Sequence, residues 1–145
     1  MMDRSDVDAW MFLAVAVSRG SDGEATLEDM VAAADWINHA IPSNQELEVG
    51  LNRLLAARFL SNTRDAFGLT PAGESLYSRV RKRAGIWTQL KRLGKAFEAI
   101  ETPDDPLWAP AAGVIELAIA AYETKAAAVV AGMTAARRPR ASRQR

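Results

Sequence analysis

The chain has 145 residues, 49% hydrophobic and 25% charged, the balance of one folded domain with a small appendage rather than of a disordered polymer. With no cysteine and one histidine, disulfide scaffolds, thiol catalysis, thiolate metal sites and His-built metal clusters are excluded. Eighteen basic residues balance eighteen acidic ones, which excludes a uniformly basic nucleic-acid protein, yet the charges are divided along the chain. Residues 1–80 hold six Arg against twelve Asp and Glu, a balance of −6, and residues 81–145 hold twelve basic against six acidic, a balance of +6.

Val7, Trp10, Met11, Ala14 and Val17 recur at spacings of three and four and predict a helix over 7–19, ended by Gly20. Three acids within the first eight residues make the start unsuitable as the basic region of an export signal. The apolar stretch Trp10 to Val17 is eight residues long, against the roughly 20 that a bilayer span needs, so no membrane association and a cytoplasmic location are expected. Ser21-Asp22-Gly23-Glu24 reads as a turn, and Thr26-Leu27-Glu28-Asp29 as a capping box opening a second helix that buries Leu27, Met30, Val31 and Ala34. Ile41-Pro42 interrupts that helix, because the residue before proline is steered away from helical dihedrals.

Ser43-Asn44-Gln45-Glu46 is a fuller capping box, with Glu at the third helical position. It opens a third helix whose inner face is Leu47, Leu51, Leu54 and Leu55. Two short strand-like runs, Phe59-Leu60-Ser61 and Phe67-Gly68-Leu69, flank a polar turn at 62–66. Thr70-Pro71-Ala72-Gly73 then restarts a helix with Thr as cap and Pro in the first helical position. The apolar stripe Leu76, Val80, Trp87, Leu90, Leu93, Phe97 and Ile100 predicts one long helix over 71–100, with Gly85 and Gly94 as its weak points. Thr102-Pro103-Asp104-Asp105-Pro106 breaks it. A last helix, from Leu107 or Pro110 to about Met133, carries Val114, Ile115, Ala118, Tyr122, Val129 and Met133. The tail holds five Arg and no apolar run, and is expected to be disordered.

The order of these elements, with Leu51-Asn52-Arg53-Leu54-Leu55-Ala56-Ala57-Arg58-Phe59-Leu60 followed by Phe67-Gly68-Leu69-Thr70-Pro71-Ala72-Gly73, resembles the winged helix-turn-helix of MarR-like and PadR-like bacterial transcriptional regulators. The shared signature is L-x-x-L-x-x-x-G-hydrophobic followed by hydrophobic-T-x-x-G, and it covers about residues 7–80. Arg58 stands where that pattern has a helix-ending glycine. The expected fold is therefore mainly α with a small β-hairpin, a winged helix with two additional C-terminal helices. Its divisions are a winged-helix domain over 1–80, a dimerising helical extension over 81–135 and a basic tail over 136–145.

The resemblance implies a DNA-binding regulator whose third helix enters the major groove while the hairpin touches the backbone. Counting 100° per residue from the leucine stripe places Gln45, Val49, Asn52, Arg53 and Ala56 outward. Gln and Asn can pair bidentately with adenine, and Arg with guanine. Gln45, Val49, Asn52 and Arg53, with Arg64 in the hairpin turn, are thus the candidate contacts to duplex DNA, bound as a homodimer through the C-terminal helices. Against this stand the acidic first half and Glu46 and Glu48 within the third helix itself. They favour the alternative, a winged-helix protein–protein interaction module without DNA binding. Arg79, Arg81, Lys82, Arg83, Lys91, Arg92 and Lys95 form the strongest cationic run, either a solvated face or a source of phosphate or acidic-patch contacts. His39 reads as a loop or cap residue and Asp104-Asp105 as linker. With no phosphate loop, nucleophile elbow or metal-ligand spacing, neither an enzyme nor a cofactor is expected.

Overall fold

A computed structural model describes residues 2–136, six helices and three strands among them. The expected basic tail lies outside the described residues, apart from Ala136, which ends the last helix. Helix α1 (Arg4–Ser18) is the axis of the molecule. Its sequence is apolar on every side from Ala9 to Val17, and each residue from Val7 to Ala16 is buried, the condition of a helix surrounded by partners. Helices α2 (Leu27–Asn38) and α3 (Asn44–Ala56) pack against it. The indole Nε1–H of Trp10 donates to the Ala34 carbonyl at 2.9 Å, tying α1 to α2 inside the core. Gly50 of α3 lets the third helix approach α1, since a Cβ there would lie 3.0 Å from Met11 Cγ.

Of the two capping boxes read from the sequence, the one at Ser43 forms in full, and at Thr26 only the threonine side chain caps, the shorter Asp29 making no return bond. Thr26 accepts from the Asp29 amide at 3.2 Å. Ser43 accepts from Glu46 at 3.1 Å while the Glu46 carboxylate accepts from the Ser43 amide at 2.9 Å. At its other end α3 stops with Arg58 in the left-handed region, φ 64°. The Arg58 and Phe59 amides donate back to the carbonyls of Leu55 and Leu54, both at 3.0 Å, the paired bonds of a Schellman ending. His39, at φ 53°, likewise ends α2.

Strands β2 (Leu60–Thr63) and β3 (Ala66–Leu69) make the expected hairpin. The sheet is larger than a hairpin, however. Glu24–Thr26, expected as part of a turn and a cap, forms strand β1 and pairs antiparallel with β3, Ala25 opposite Phe67, giving the order β1-β3-β2. Three residues are too few for an alternating pattern to show in a sequence; pairing with β3 supplies the backbone hydrogen bonds that a free turn lacks.

The single long helix expected over 71–100 is instead two, α4 (Pro71–Arg81) and α5 (Ile86–Ala96). The chain turns through Lys82–Gly85, with Arg83 at φ 53°. The turn brings α5 back onto α1, where Leu93 and Phe97 are fully buried. Phe97 meets Phe12 and Phe59 at centroid distances of 5.4 and 5.2 Å. The core is thereby continuous across residue 80. A connection over 97–113 then crosses to α6 (Val114–Ala136), which starts later than expected and lies along α2. No helix among the described residues is long and apolar enough to cross a membrane.

Candidate functional site

The outward face assigned to the third helix is the place to test the expected nucleic-acid contacts. Gln45 is exposed and Val49 half-buried. Asn52 and Arg53, at 5% and 6% exposure, are not outward at all. Arg53 points toward the core beside Asp8 of α1, its Nε 2.9 Å from Oδ2 and 3.2 Å from Oδ1. Its remaining guanidinium nitrogens donate to the Ile100 carbonyl and the Thr102 hydroxyl, each at 2.8 Å. The 100° count misplaced it because it takes no account of the partners that cover this side of the helix, Asp8 of α1 and the chain at Ile100 and Thr102, which pair with the charged head and bury it. Asp8 has 0% exposure, and burial pushes its carboxyl above the ordinary carboxylate range while Arg53, and then Arg4, pull it down.

Asn52 is buried for a different reason. The Thr102–Gly113 part of the connection lies across α3 as a strap, and the Asn52 amide grips it at Trp108. Oδ1 accepts from the Trp108 amide and Nδ2 donates to the Trp108 carbonyl, both at 2.8 Å. The Trp108 ring meets Phe67 of β3 edge-on at 4.9 Å, and its Nε1–H donates to Asp65 in the hairpin turn at 3.0 Å. Further along, the Asn44 side chain bonds Glu116 at the start of α6. Asn44, Glu48 and Asn52, one helical row at i, i+4 and i+8, thus line hollows or bonds shared with the strap and α6. Of the five candidates, Gln45 and Arg64 are exposed. Arg64 lies at the hairpin turn with φ 59° beside Asp65. The sequence reading passed over Trp108; the one available signal was a large aromatic stranded among prolines.

The positive charge gathers elsewhere. From Glu74 to Glu98 the chain carries seven cations and no carboxylate. All seven are exposed, and none takes part in the three ion pairs among the described residues, Arg19–Glu74, Arg53–Asp8 and Lys125–Glu28. A groove of about 390 Å³ runs between α4 and α5, floored by Leu76, Val80 and Ala96 and bordered by Arg79, Arg92 and Lys95. Arg92 is held in place, donating to the carbonyls of Val80 and Lys82 at 3.0 and 3.1 Å where α4 ends. Trp87, 66% exposed, opens α5 beside this cationic row. A larger hollow, about 630 Å³, lies between the end of α3 and residues Ile100–Asp104, its other walls being Phe59 and four alanines that bring no polar side chain to it. Among the described residues no three His, Asp or Glu side chains are grouped so as to hold a metal ion.

The last helix supplies the third surface. Its first half is fastened to α2 by the Tyr122 hydroxyl on Asp35, at 2.5 Å, and by Lys125 on Glu28. Leu117, Val129, Val130 and Met133 are exposed large apolar side chains. No protein-family profile, curated protein or solved structure matches the chain at a significant level.

Proposed function

We propose that the chain is a non-catalytic interaction module of winged-helix type that associates with a second copy of itself. The order α1-β1-α2-α3-β2-β3, with β3 between β1 and β2, supports the winged-helix reading. The observation that carries the choice of function is the strap over α3. Base readout needs side chains free at the outward face of the third helix. Here Asn52 is committed to Trp108 and Arg53 to Asp8, Ile100 and Thr102, and the same helix carries Glu46 and Glu48. Carboxylates repel phosphate, and no arginine or lysine lies between Arg19 and Arg53 to offset them. The exposed apolar side chains of α6 favour self-association, the commonest closed solution for such a surface.

A regulator that binds duplex DNA is the second reading, favoured by the acid-free cationic stretch over 75–97. Fluorescence anisotropy on labelled duplexes of mixed sequence separates the two. The interaction module shows no sequence preference and no loss on Gln45→Ala or Arg64→Ala. Tight, sequence-dependent binding that falls steeply with salt and is weakened by those substitutions establishes the regulator instead.

A further inference from the structure

The groove between α4 and α5 combines two properties. Its floor is apolar, from Leu76, Val80 and Ala96, and its borders are cationic, from Arg79, Arg92 and Lys95. Trp87, Lys91 and Lys95 follow at four-residue intervals, so α5 presents an indole and two ammonium groups along one stripe. Among the described residues none of these charges is in an ion pair, and the nearest carboxylates in sequence are Glu74, which is paired with Arg19, and Glu98. The groove is also preorganised, because Arg92 locks the end of α4 to α5. A matching ligand therefore brings several negative charges and an apolar ridge together.

We infer that this groove receives an acidic amphipathic helix from a protein partner. The inference rests on the interaction-module reading and specifies the partner's chemistry. An amphipathic helix lays residues i, i+3, i+4 and i+7 on an apolar floor and can hold carboxylates on both flanks, so it answers both properties of the groove. A phosphodiester backbone answers the charge and leaves the floor without a partner. The alkyl stems of Arg79 and Lys95 extend the apolar contact while their heads remain free to pair. Helix α5 has eleven residues, about 16 Å at 1.5 Å per residue, which suits a bound helix of about three turns. Opposite charge steers the encounter and makes it salt-dependent, and the floor decides which acidic segments stay.

The test uses the full chain and three labelled probes: a synthetic helix of about 14 residues with Leu at i, i+3, i+4 and i+7 and Glu elsewhere, a poly-glutamate of equal charge, and a duplex DNA. The Leu/Glu helix is expected to bind, at least about tenfold more tightly than poly-glutamate. The double variant Arg79→Glu/Lys95→Glu removes that binding. Both side chains are exposed, so an unchanged circular dichroism spectrum certifies the fold. Equal binding of poly-glutamate overturns the role of the floor. Preference for duplex DNA, lost in the same double variant, overturns both the inference and the interaction reading in favour of nucleic acid. Absence of binding by every probe overturns the inference and leaves self-association through α6 standing.

Discussion

Arg53 and Asp8 show how one buried pair organises a surface. The guanidinium joins α1 to α3 and, through Ile100 and Thr102, anchors the beginning of the strap. Replacing Arg53 with Met retains much of the packing and leaves Asp8 buried without its cation, a change that costs about 3–5 kcal/mol when a buried pair loses one member. The pH dependence has a definite sign. Burial already holds the Asp8 carboxyl above the ordinary range, and removal of Arg53 raises it further. Stability contributed by such a group is complete below its unfolded value, about 3.9, and is lost as pH rises through the higher folded value. Urea unfolding is therefore expected to show a larger deficit for Arg53→Met at pH 7 than at about pH 4.5; a deficit independent of pH removes Asp8 from the explanation. Arg58 gives a change of opposite direction. It occupies the left-handed ending of α3 at φ 64°, where a side chain costs about 1–2 kcal/mol. Its backbone carbonyl, which accepts from the Thr70 hydroxyl at 2.5 Å, is kept in a glycine. Arg58→Gly is expected to stabilise by about 0.5–1 kcal/mol after the added flexibility of the unfolded chain is offset, read as a higher urea midpoint.

Among the elements, the start of α4 explains why the Thr-x-x-Gly pattern has the form it does. Thr70 accepts from the Gly73 amide at 3.1 Å, and a Cβ at residue 73 would stand 2.2 Å from the Phe59 carbonyl oxygen. That oxygen accepts from the Thr70 amide at 3.2 Å, so the helix start, the end of the hairpin and the exit of α3 close on one point. Gly73→Ala is expected to push α4 away and destabilise by about 2–3 kcal/mol, with faster amide exchange at Thr70 and Phe59; unchanged exchange there refutes the close approach as its cause. Such local rules made α2, α3 and the start of α4 legible, because each cap acts within four residues. The break between α4 and α5 was hidden, since Leu90, Leu93 and Phe97 keep helical spacing with Leu76 and Val80 whether or not the chain turns at Lys82–Gly85. What decides the turn is the distant pairing of Phe97 with Phe12 and Phe59. Strand β1 and the Asn52–Trp108 grip were hidden for the same reason: each is a contact between segments remote in sequence, and periodicity carries no information about it.

At the scale of the whole molecule, the return of α5 to the core changes which surface is left for association. A continuous helix would have offered Leu93 and Phe97 to a second copy; both are fully buried within the chain. The unpaired apolar surface now centres on α6. That helix has 23 residues, about 34 Å long. Tyr122 and Lys125 fix its first half to α2, and beyond Lys125 the larger side chains Val129, Val130 and Met133 remain exposed. Ala127, Ala128, Ala131 and Gly132 lie among them, small enough for another helix to approach closely. Counted at 100° per residue, Val129, Val130 and Met133 continue the face that holds Ile115 and Tyr122 inward, so two copies of α6 running antiparallel can pair through these ends beyond the reach of α2. This self-complementary arrangement closes with two-fold symmetry, whereas a head-to-tail contact leaves an apolar end free to add further copies. Sedimentation equilibrium is expected to give about 31 kDa, twice the 15.7 kDa chain. Val130→Glu with Met133→Glu places charges in the proposed seam without touching the α2 anchors, and is expected to return the mass to that of one chain with the helical spectrum intact. A stable monomer of the unaltered chain at tens of micromolar rejects the pairing. A dimer that survives the two glutamates places the interface on another face and leaves the exposed end of α6 without a role in assembly.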